Sequence, residues 1–541
     1  MEKKKVKLFS AIALVALALL VVGATYAYFQ NQYGAASNAN VKVTTYTTDV
    51  LTFETGDAIN ISADQETFAE GKGNRTGSTF ARATLQANNK TNTATANYYM
   101  YLNIETNTFT YTNTNKPELI LQVVDKTSGN PVTSITGLNY VTVTDGKNTS
   151  ISGFDITNKK GLIALFSNKE ISASPKTVEE YTITITLVNY SFDQNNNTGK
   201  NLNGKLIIQK EKMITSVSDV AKSGDNLATV LETLGTKGDS SLTGLYHHDA
   251  NLTNGAGDNS YRFAGANPNN YVCFGSDEAT CPTESLYRII GLIDGKVKLI
   301  HANGATTDML GTNEGYVNTY QARWGSYSSY YKGNGDLTKI GTYKWNKSAK
   351  NTLSTSTTNT INLNTNFLTY LDGKNTKWKN MIADTTWYVG GMTYDNGYKS
   401  NAKTAYNYEV GANKDATTTV ISKIGMMYVS EYYYGATPDY WMLPGIDING
   451  HLNEDRTAWI GEDYSKAYND NWMNTGLNEW TISRDSDDSA SAFVVSGIGA
   501  LEVDDVGGSF GVAVRPSFSL SSSIKFTLGE GTAVNPIRIK L

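Results

Sequence analysis

Alternation of apolar and polar residues, sustained from about residue 40 to residue 210, is the feature that most constrains the fold. Runs such as VKVTTYTTDVLTF, YYMYLNI and EEYTITITLVNY carry a β-branched or aromatic residue at every second position and are bounded by Asn, Gly, Asp or Pro. A period of two is typical of strands with one buried and one solvated face. Seven or eight such runs within roughly 170 residues predict an all-β sandwich domain over 30–212.

The hydrophobic period changes after Thr215. Apolar residues then recur at helical spacing as far as Leu234, and Gly235 is a candidate helix stop, so we predict a helical connector over 213–243. The remaining residues, 244–541, mix a hairpin pattern, LYRIIGLIDGKVKLIHA, with the helical faces of NTNFLTYLDGKNTKWKNMI. We therefore expect a multidomain chain whose second domain, 244–541, is α+β, because one core rarely spans so many residues.

Residues 1–29 have the pattern of an export signal. Lysines at the start are followed by an uncharged apolar run and by the small residue Ala27. The apolar run approaches the length of about 20 residues that spans a bilayer, so cleavage as a signal peptide and retention as a membrane anchor both stay open. We predict that the rest of the chain is extracellular or in the cell envelope, and that it contacts a membrane only through this segment if uncleaved.

Composition argues against one class of partner. Charged residues make up 18% of the chain, the net charge is -5, and the lysines of residues 3–7 are the one basic block. Nucleic acid is therefore not an expected partner.

Cys273 and Cys281 are the only cysteines in the sequence. Their spacing differs from the two-residue spacing of redox and zinc motifs, and no second pair is present to complete four zinc ligands. In an exported protein, closing this loop with a disulfide gains about 2.5 kcal/mol from chain entropy. We predict a structural disulfide; the alternatives are a catalytic or metal-binding pair and two free thiols.

Two aromatic clusters are candidate ligand-binding surfaces. Tyrosine mixed with Ser, Gly and Asn is typical of recognition loops, because its ring offers a large contact area at low entropic cost. The alternative is that these residues belong to the core. The candidates are Tyr320, Trp324, Tyr327, Tyr330, Tyr331, Tyr432, Tyr433 and Tyr434.

Acidic residues near the C-terminus are candidate calcium ligands. We expect RDSDDS and EVDDV to lie on neighbouring loops, where they could supply several of the six to eight oxygens that calcium requires. The alternative is that they are solvated acidic loops, and no other cofactor is expected. The candidates are Asp485, Asp487, Asp488, Asp504 and Asp505.

No motif indicates catalysis. His247-His248-Asp249 is expected in a solvated loop, since adjacent strand residues face opposite sides and rarely reach one metal ion. The sequence has no Gly-x-Ser-x-Gly elbow and no phosphate-binding glycine loop, so we assign no catalytic residue and expect a protein that is not an enzyme.

Five motifs carry a family resemblance over about 260–541: YRIIG, KIGMMYVSEY, NWMNTGLNEWTISR, AVRPSFSL and GEGTAVNPIRI. They resemble exported Gram-positive surface proteins whose C-terminal module is related to the C-type-lectin-like fold of formylglycine-generating enzymes and adhesin tips. The resemblance implies a strand at Trp480, a core strand at Ala492 to Val495 and a strand at Val514-Arg515-Pro516. The leader VGATYAYF, placed before a Thr-rich sandwich, resembles the camelysin and biofilm-fibre group.

These features indicate a non-enzymatic cell-surface protein. We expect a β-sandwich stalk that presents a C-type-lectin-like module for adhesion or ligand binding, with an extracellular glycan or protein as partner. A structural subunit of an envelope or biofilm fibre is one alternative. An extracellular enzyme of unknown substrate is the other.

Overall fold

The computed structural model describes residues 49–541, apart from 70, 89–91, 115, 319–330, 412–417, 443–468 and 498. The chain divides into two compact units, Met1–Lys212 and Met213–Leu541. Several separate β-sheets lie in the described residues, so the expectation of a multidomain, β-rich protein is confirmed. The predicted export signal, 1–29, lies outside the described residues. Among the described residues, no helix is both long enough and apolar enough to cross a membrane.

The first unit consists of strands that follow the alternation of the sequence. In the part of this unit that the structure describes, the strands are β1 Val50–Thr55, β2 Ile59–Ser62, β3 Arg75–Gln86, β4 Ala94–Asn107, β5 Leu119–Asp125, β6 Tyr140–Thr144, β7 Ser150–Asp155, β8 Gly161–Ala173, β9 Lys176–Leu187 and β10 Asn201–Gln209.

These strands form two antiparallel sheets with a common core. One sheet has the order β1-β3-β9-β5-β7-β6 and the other the order β2-β10-β4-β8. The β3 and β9 strands pair over all twelve of their residues. Leu102 from one sheet and Leu121 and Ile183 from the other are fully buried in the same apolar cluster. Each such side chain stabilises the fold by about 1.5–3 kcal/mol, which explains why every second residue is apolar.

The second unit combines short strands with short helices. Its described strands are β11 Leu245–His248, β12 Ser260–Phe263, β13 Tyr271–Cys273, β14 Leu286–Ile293, β15 Lys296–His301, β16 Thr342–Tyr343, β17 Thr385–Val389, β18 Thr418–Ser422, β19 Glu479–Arg484, β20 Ser491–Val495, β21 Leu501–Asp505, β22 Val512–Ala513, β23 Ser517–Ser519, β24 Lys525–Leu528 and β25 Arg538–Lys540. Its described α-helices are α1 Leu227–Lys237, α2 Ser240–Thr243, α3 Thr307–Leu310, α4 Leu368–Lys374, α5 Thr376–Asn380, α6 Tyr394–Lys399, α7 Ala402–Glu409 and α8 Val429–Tyr434, and a π-helix, Thr358–Phe367, runs directly into α4.

Two larger sheets organise this unit. The first has the order β11-β12-β14-β15-β23, with β13 also paired to β14, and the second has the order β16-β22-β19-β20-β21. The resemblance implied a strand at Val514-Arg515-Pro516. Instead, β22 ends at Ala513 in one sheet and β23 begins at Ser517 in the other, so these three residues cross between the sheets. Pro516 suits this position because it has no N–H to donate to a ladder.

The predicted connector region, 213–243, contains the helices Leu227–Lys237 and Ser240–Thr243 and belongs to the second unit. Helix α1 begins after Asn226, whose side chain accepts two backbone N–H groups, and it buries Leu227, Leu231 and Leu234 in the core of that unit. Gly235 does not end this helix. A Cβ on Gly235 would lie 2.3 Å from the ring of Tyr261, so glycine allows α1 to pack closely against β12.

Candidate ligand pocket

A pocket of about 430 Å³ opens in the second unit. Tyr271 of β13, Arg288 of β14, Asn303 just beyond β15 and Trp472 line it, so it is assembled from distant parts of the chain. Seven of the eighteen described residues that line it are asparagines. Side-chain amides both donate and accept hydrogen bonds, so this lining suits a polar ligand. The volume is within the range of small-molecule sites, about 300–1,000 Å³.

Arg288 is the central charged group of the pocket. Arg288 is only 6% exposed, although it lines the cavity. The guanidinium carbon lies 4.3 Å from the ring centroid of Tyr271 and 4.6 Å from that of Trp472. Contacts of this kind attract a cation to the π-electrons of the ring. Two aromatic side chains therefore hold the guanidinium in place.

The hydrogen bonds of Arg288 go to neutral acceptors. Nε donates to Oδ1 of Asn270 at 2.7 Å, and Nη2 donates to the carbonyl of Pro268 at 3.0 Å and to Oδ1 of Asn267 at 3.2 Å. Nη1 donates one long bond, 3.5 Å, to the carbonyl of Trp472. A guanidinium has five N–H donors, so one Nη1 hydrogen has no acceptor in the described part of the chain.

Arg288 differs from the other buried arginine and lysine side chains of the described second unit. Each of the others forms a short ion pair: Arg262 with Asp258 at 2.7 Å, Lys298 with Glu431 at 2.5 Å, and Arg515 with Glu479 at 2.7 Å. Among the described residues, no carboxylate pairs with Arg288. Burial lowers its pKa to about 10; Tyr271 raises the pKa slightly, and the nearby charge of Arg515 lowers it. The side chain remains a cation at neutral pH, and no described residue supplies its counter-charge.

Asn303 organises one side of the pocket. Its Oδ1 accepts from the hydroxyl of Tyr331 at 3.2 Å and from the backbone N–H groups of Asn334 at 3.0 Å and Gly335 at 3.3 Å. In the described chain its Nδ2 group donates to no acceptor. Tyr331 therefore supports the pocket from behind Asn303. Tyr320, Trp324, Tyr327 and Tyr330, the rest of that predicted aromatic cluster, lie outside the described residues.

The predicted disulfide is confirmed, since Cys273 and Cys281 are bonded, with their Cα atoms 5.9 Å apart. Cys273 ends β13, the strand that carries Tyr271. The backbone of Cys273 donates to the carbonyl of Ile537 at 2.9 Å, and Ile537 donates to the carbonyl of Tyr271 at 2.8 Å. The disulfide therefore closes a loop directly beside the strand that places one ring against Arg288.

The second aromatic cluster is part of the core and not a loop surface. Tyr432, Tyr433 and Tyr434 lie in α8, and Tyr432 and Tyr434 are almost completely buried. Their hydroxyls donate to the carbonyls of Gly499, Gly397 and Asn254, in that order. Tyrosine suits such sites because its apolar ring fills volume while its hydroxyl pairs with the backbone. The composition of this stretch fits a core helix as well as a recognition loop, so composition alone does not distinguish the two roles.

The five acidic candidates lie near one another at one end of the β19–β20–β21 region. Ser491 pairs with Asp505 and Ala492 with Asp504, which brings the turn after β19 beside the end of β21. The carboxylates bind their own loops: Asp485 accepts from the backbone of Asp487 at 3.0 Å, Asp488 from Ala490 at 2.9 Å, and Asp505 from Gly507 at 2.9 Å. No cluster of three acidic, His or Cys side chains suited to a metal occurs among the described residues, and calcium binding stays a prediction.

His247 and His248 lie on strand β11, not in a solvated loop. His248 is fully buried, and its Nδ1 accepts the backbone N–H of Ala256 at 3.1 Å. Burial, together with the nearby charge of Arg262, lowers its pKa well below 6.5. The ring is therefore neutral, and it packs edge-on against Tyr434 at 4.7 Å.

Sequence reasoning missed Arg288, Asn303 and Trp472. One signal was present for Arg288, because a charge inside the otherwise apolar run LYRIIGLI cannot be solvated once that strand is buried. Nothing local marks Trp472 as its neighbour, since 184 residues separate the two.

Comparison with known proteins does not assign this chain to a family. No protein-family model matches the sequence, and a search of curated proteins returns no significant match.

Proposed function

We propose that the protein is a non-enzymatic, exported cell-surface protein that binds an extracellular glycan or protein through the Arg288 pocket. In this proposal the first unit is a β-sandwich stalk, and the second unit is a C-type-lectin-like module that presents the pocket. The export signal pattern of residues 1–29 supports the surface location.

The observation that carries the proposal is a buried guanidinium that pairs with no carboxylate among the described residues, in a pocket whose described lining is rich in amides. Burying a charge without a counter-charge costs several kcal/mol, so such a group suggests a binding role that offsets its effect on stability. Amide, guanidinium and aromatic groups bind and orient a ligand by hydrogen bonds and contacts. These are the properties of a recognition site.

Binding by the full exported chain tests this proposal. The labelled protein is applied to a glycan array and to a panel of immobilised extracellular proteins, beside the variant R288Q. We expect at least one ligand whose binding weakens tenfold or more in R288Q.

The matched control is R262Q. Arg262 is also a buried arginine near two rings, 5.6 Å from the centroid of Tyr406 and 5.5 Å from that of Tyr434, but it is paired with Asp258 and does not line the pocket. Binding should survive in R262Q wherever that variant is folded. Silence of the folded wild-type protein across both panels, or binding that R288Q leaves unchanged, would contradict the proposal.

A further inference from the structure

We infer that the pocket binds an acidic saccharide, with the anionic group of the sugar against Arg288 and its hydroxyls paired with the surrounding asparagines. This inference rests on the proposed function, because it names the ligand class of the same pocket.

The charge of the described pocket lining favours an anionic ligand. Among the described residues that line it, Arg288 and Lys332 are basic and none is acidic. The other buried arginine and lysine side chains of the described second unit are already neutralised by a carboxylate at 2.5–2.7 Å. Arg288 has lost most of its water, and no described residue gives it a negative partner, so an anion that enters the cavity supplies a counter-charge.

The hydrogen bonds that Arg288 donates leave a place for a ligand oxygen. Three bonds of Arg288, at 2.7–3.2 Å, use the Nε hydrogen and both Nη2 hydrogens. Within the described part of the chain, Nη1 has only the long bond to Trp472, so its second hydrogen has no acceptor there. A ligand oxygen therefore binds at Nη1. Charge-assisted bonds of guanidinium to a carboxylate or sulfate are shorter and stronger than bonds between neutral groups.

The neutral part of the lining favours a sugar over a peptide carboxylate. Among the described lining residues, seven are asparagines and two are threonines, and the aliphatic ones are Leu286 and three alanines. A peptide would place backbone and an apolar side chain here, and these match the lining poorly. The ring hydroxyls of a sugar act as donors and acceptors at once, as side-chain amides do, and the unused Nδ2 group of Asn303 is one such donor.

Titration of the full-length chain with small probes tests the ligand class. The probes are sodium glucuronate and galacturonate, the parent sugars glucose and galactose, glucose 6-sulfate, sodium acetate and N-acetylalanine. Saturation-transfer NMR or calorimetry measures each Kd. We expect at least one acidic sugar to bind tenfold or more tightly than its neutral parent, acetate and N-acetylalanine.

The variants identify the group that recognises the anion. In R288Q the preference for the acidic sugar should fall to within about twofold, whereas R262Q should keep it. K332Q changes an exposed side chain of the lining and serves if R288Q does not fold; it should weaken acidic sugars about threefold and neutral sugars not at all. Tryptophan fluorescence checks folding, because all eight tryptophans lie in the second unit, from Trp324 onward.

The outcomes separate the two proposals. Equal binding of acidic and neutral sugars, lost in R288Q, overturns the inference and leaves the proposed function standing. Tighter binding of N-acetylalanine overturns the inference in favour of a peptide carboxylate. An acidic preference that persists in R288Q overturns it as well. Absence of binding to every probe, together with silent glycan and protein panels, overturns both.

Discussion

Replacing Arg288 with methionine removes a buried charge that has no carboxylate partner among the described residues, whereas the same change at Arg262 breaks an ion pair. Both arginines are almost completely buried, and both contact aromatic rings. The two substitutions remove the same atoms. The free energy of unfolding should nevertheless respond differently, because Asp258 is left behind in one case only.

For R288M, two opposing contributions nearly cancel. Burial lowers the pKa of Arg288 from 12.5 to about 10, which corresponds to a penalty of about 3 kcal/mol on its charged form. Methionine relieves that penalty but loses the hydrogen bonds to Asn270, Asn267 and two carbonyls, each worth about 1 kcal/mol. Water from the open pocket can replace part of these bonds. We expect a net change within about 1 kcal/mol.

For R262M, the lost ion pair and the charge left on Asp258 both lower the free energy of unfolding. Burial alone would raise the pKa of Asp258, but the charge of Arg262 and hydrogen bonds from Ser260 and Arg262 lower it to about 2. The substitution removes this partner and leaves a carboxylate that is 18% exposed. Breaking a buried ion pair costs about 3–5 kcal/mol. Because Asp258 is partly exposed, we expect a loss at the lower end of this range, about 3 kcal/mol.

Urea unfolding followed by tryptophan fluorescence measures both values in the full chain. The signal reports on the second unit, since the residues before Trp324 include no tryptophan. Linear extrapolation at pH 7 then gives the free energy of unfolding of each variant. If R288M loses as much stability as R262M, the charge of Arg288 is compensated in the protein and the reasoning is refuted.

Two further changes test the surroundings of the pocket. The double variant C273S/C281S opens the nine-residue loop and should lose about 2.5 kcal/mol in the same assay, with unfolding of the reduced wild type as its control; an unchanged midpoint would contradict this. His248 has a folded-state pKa below its unfolded value, so its contribution is present above pH 6.5 and is lost as pH falls. The stability of H248Q should therefore depend less on pH between 7 and 5, by up to about 1.4 kcal/mol per unit, and equal slopes would refute the assignment.

Strand positions in the first unit were predictable because their signal is local. Buried residues alternate with more exposed ones from Thr79 to Leu85 in β3 and from Tyr181 to Ile185 in β9, and this period can be read without knowing the partner strand. The helix at 227–237 was predictable for the same reason. Its end was not, because Gly235 is explained by Tyr261, a residue of another element.

The aromatic clusters show where local reasoning ends. Tyr432 and Tyr434 follow the same composition rule as a recognition loop, yet their hydroxyls find backbone carbonyls 67 and 180 residues away and the rings enter the core. Whether a tyrosine is exposed depends on the residues that folding packs around it, and no pattern within the stretch itself specifies those residues.

The sequence by itself determined the β-rich first unit, the change of period near residue 213 and the Cys273–Cys281 disulfide. Alternation, helical spacing and a single pair of cysteines are each complete within a short segment. Only the tertiary structure decided that Arg288 has two rings, three amide or carbonyl neighbours at short range and, among the described residues, no carboxylate. The electrostatic state of a buried charge depends on every group that folding brings near it, and here those groups come from β13, the loop before it and a segment beyond residue 470.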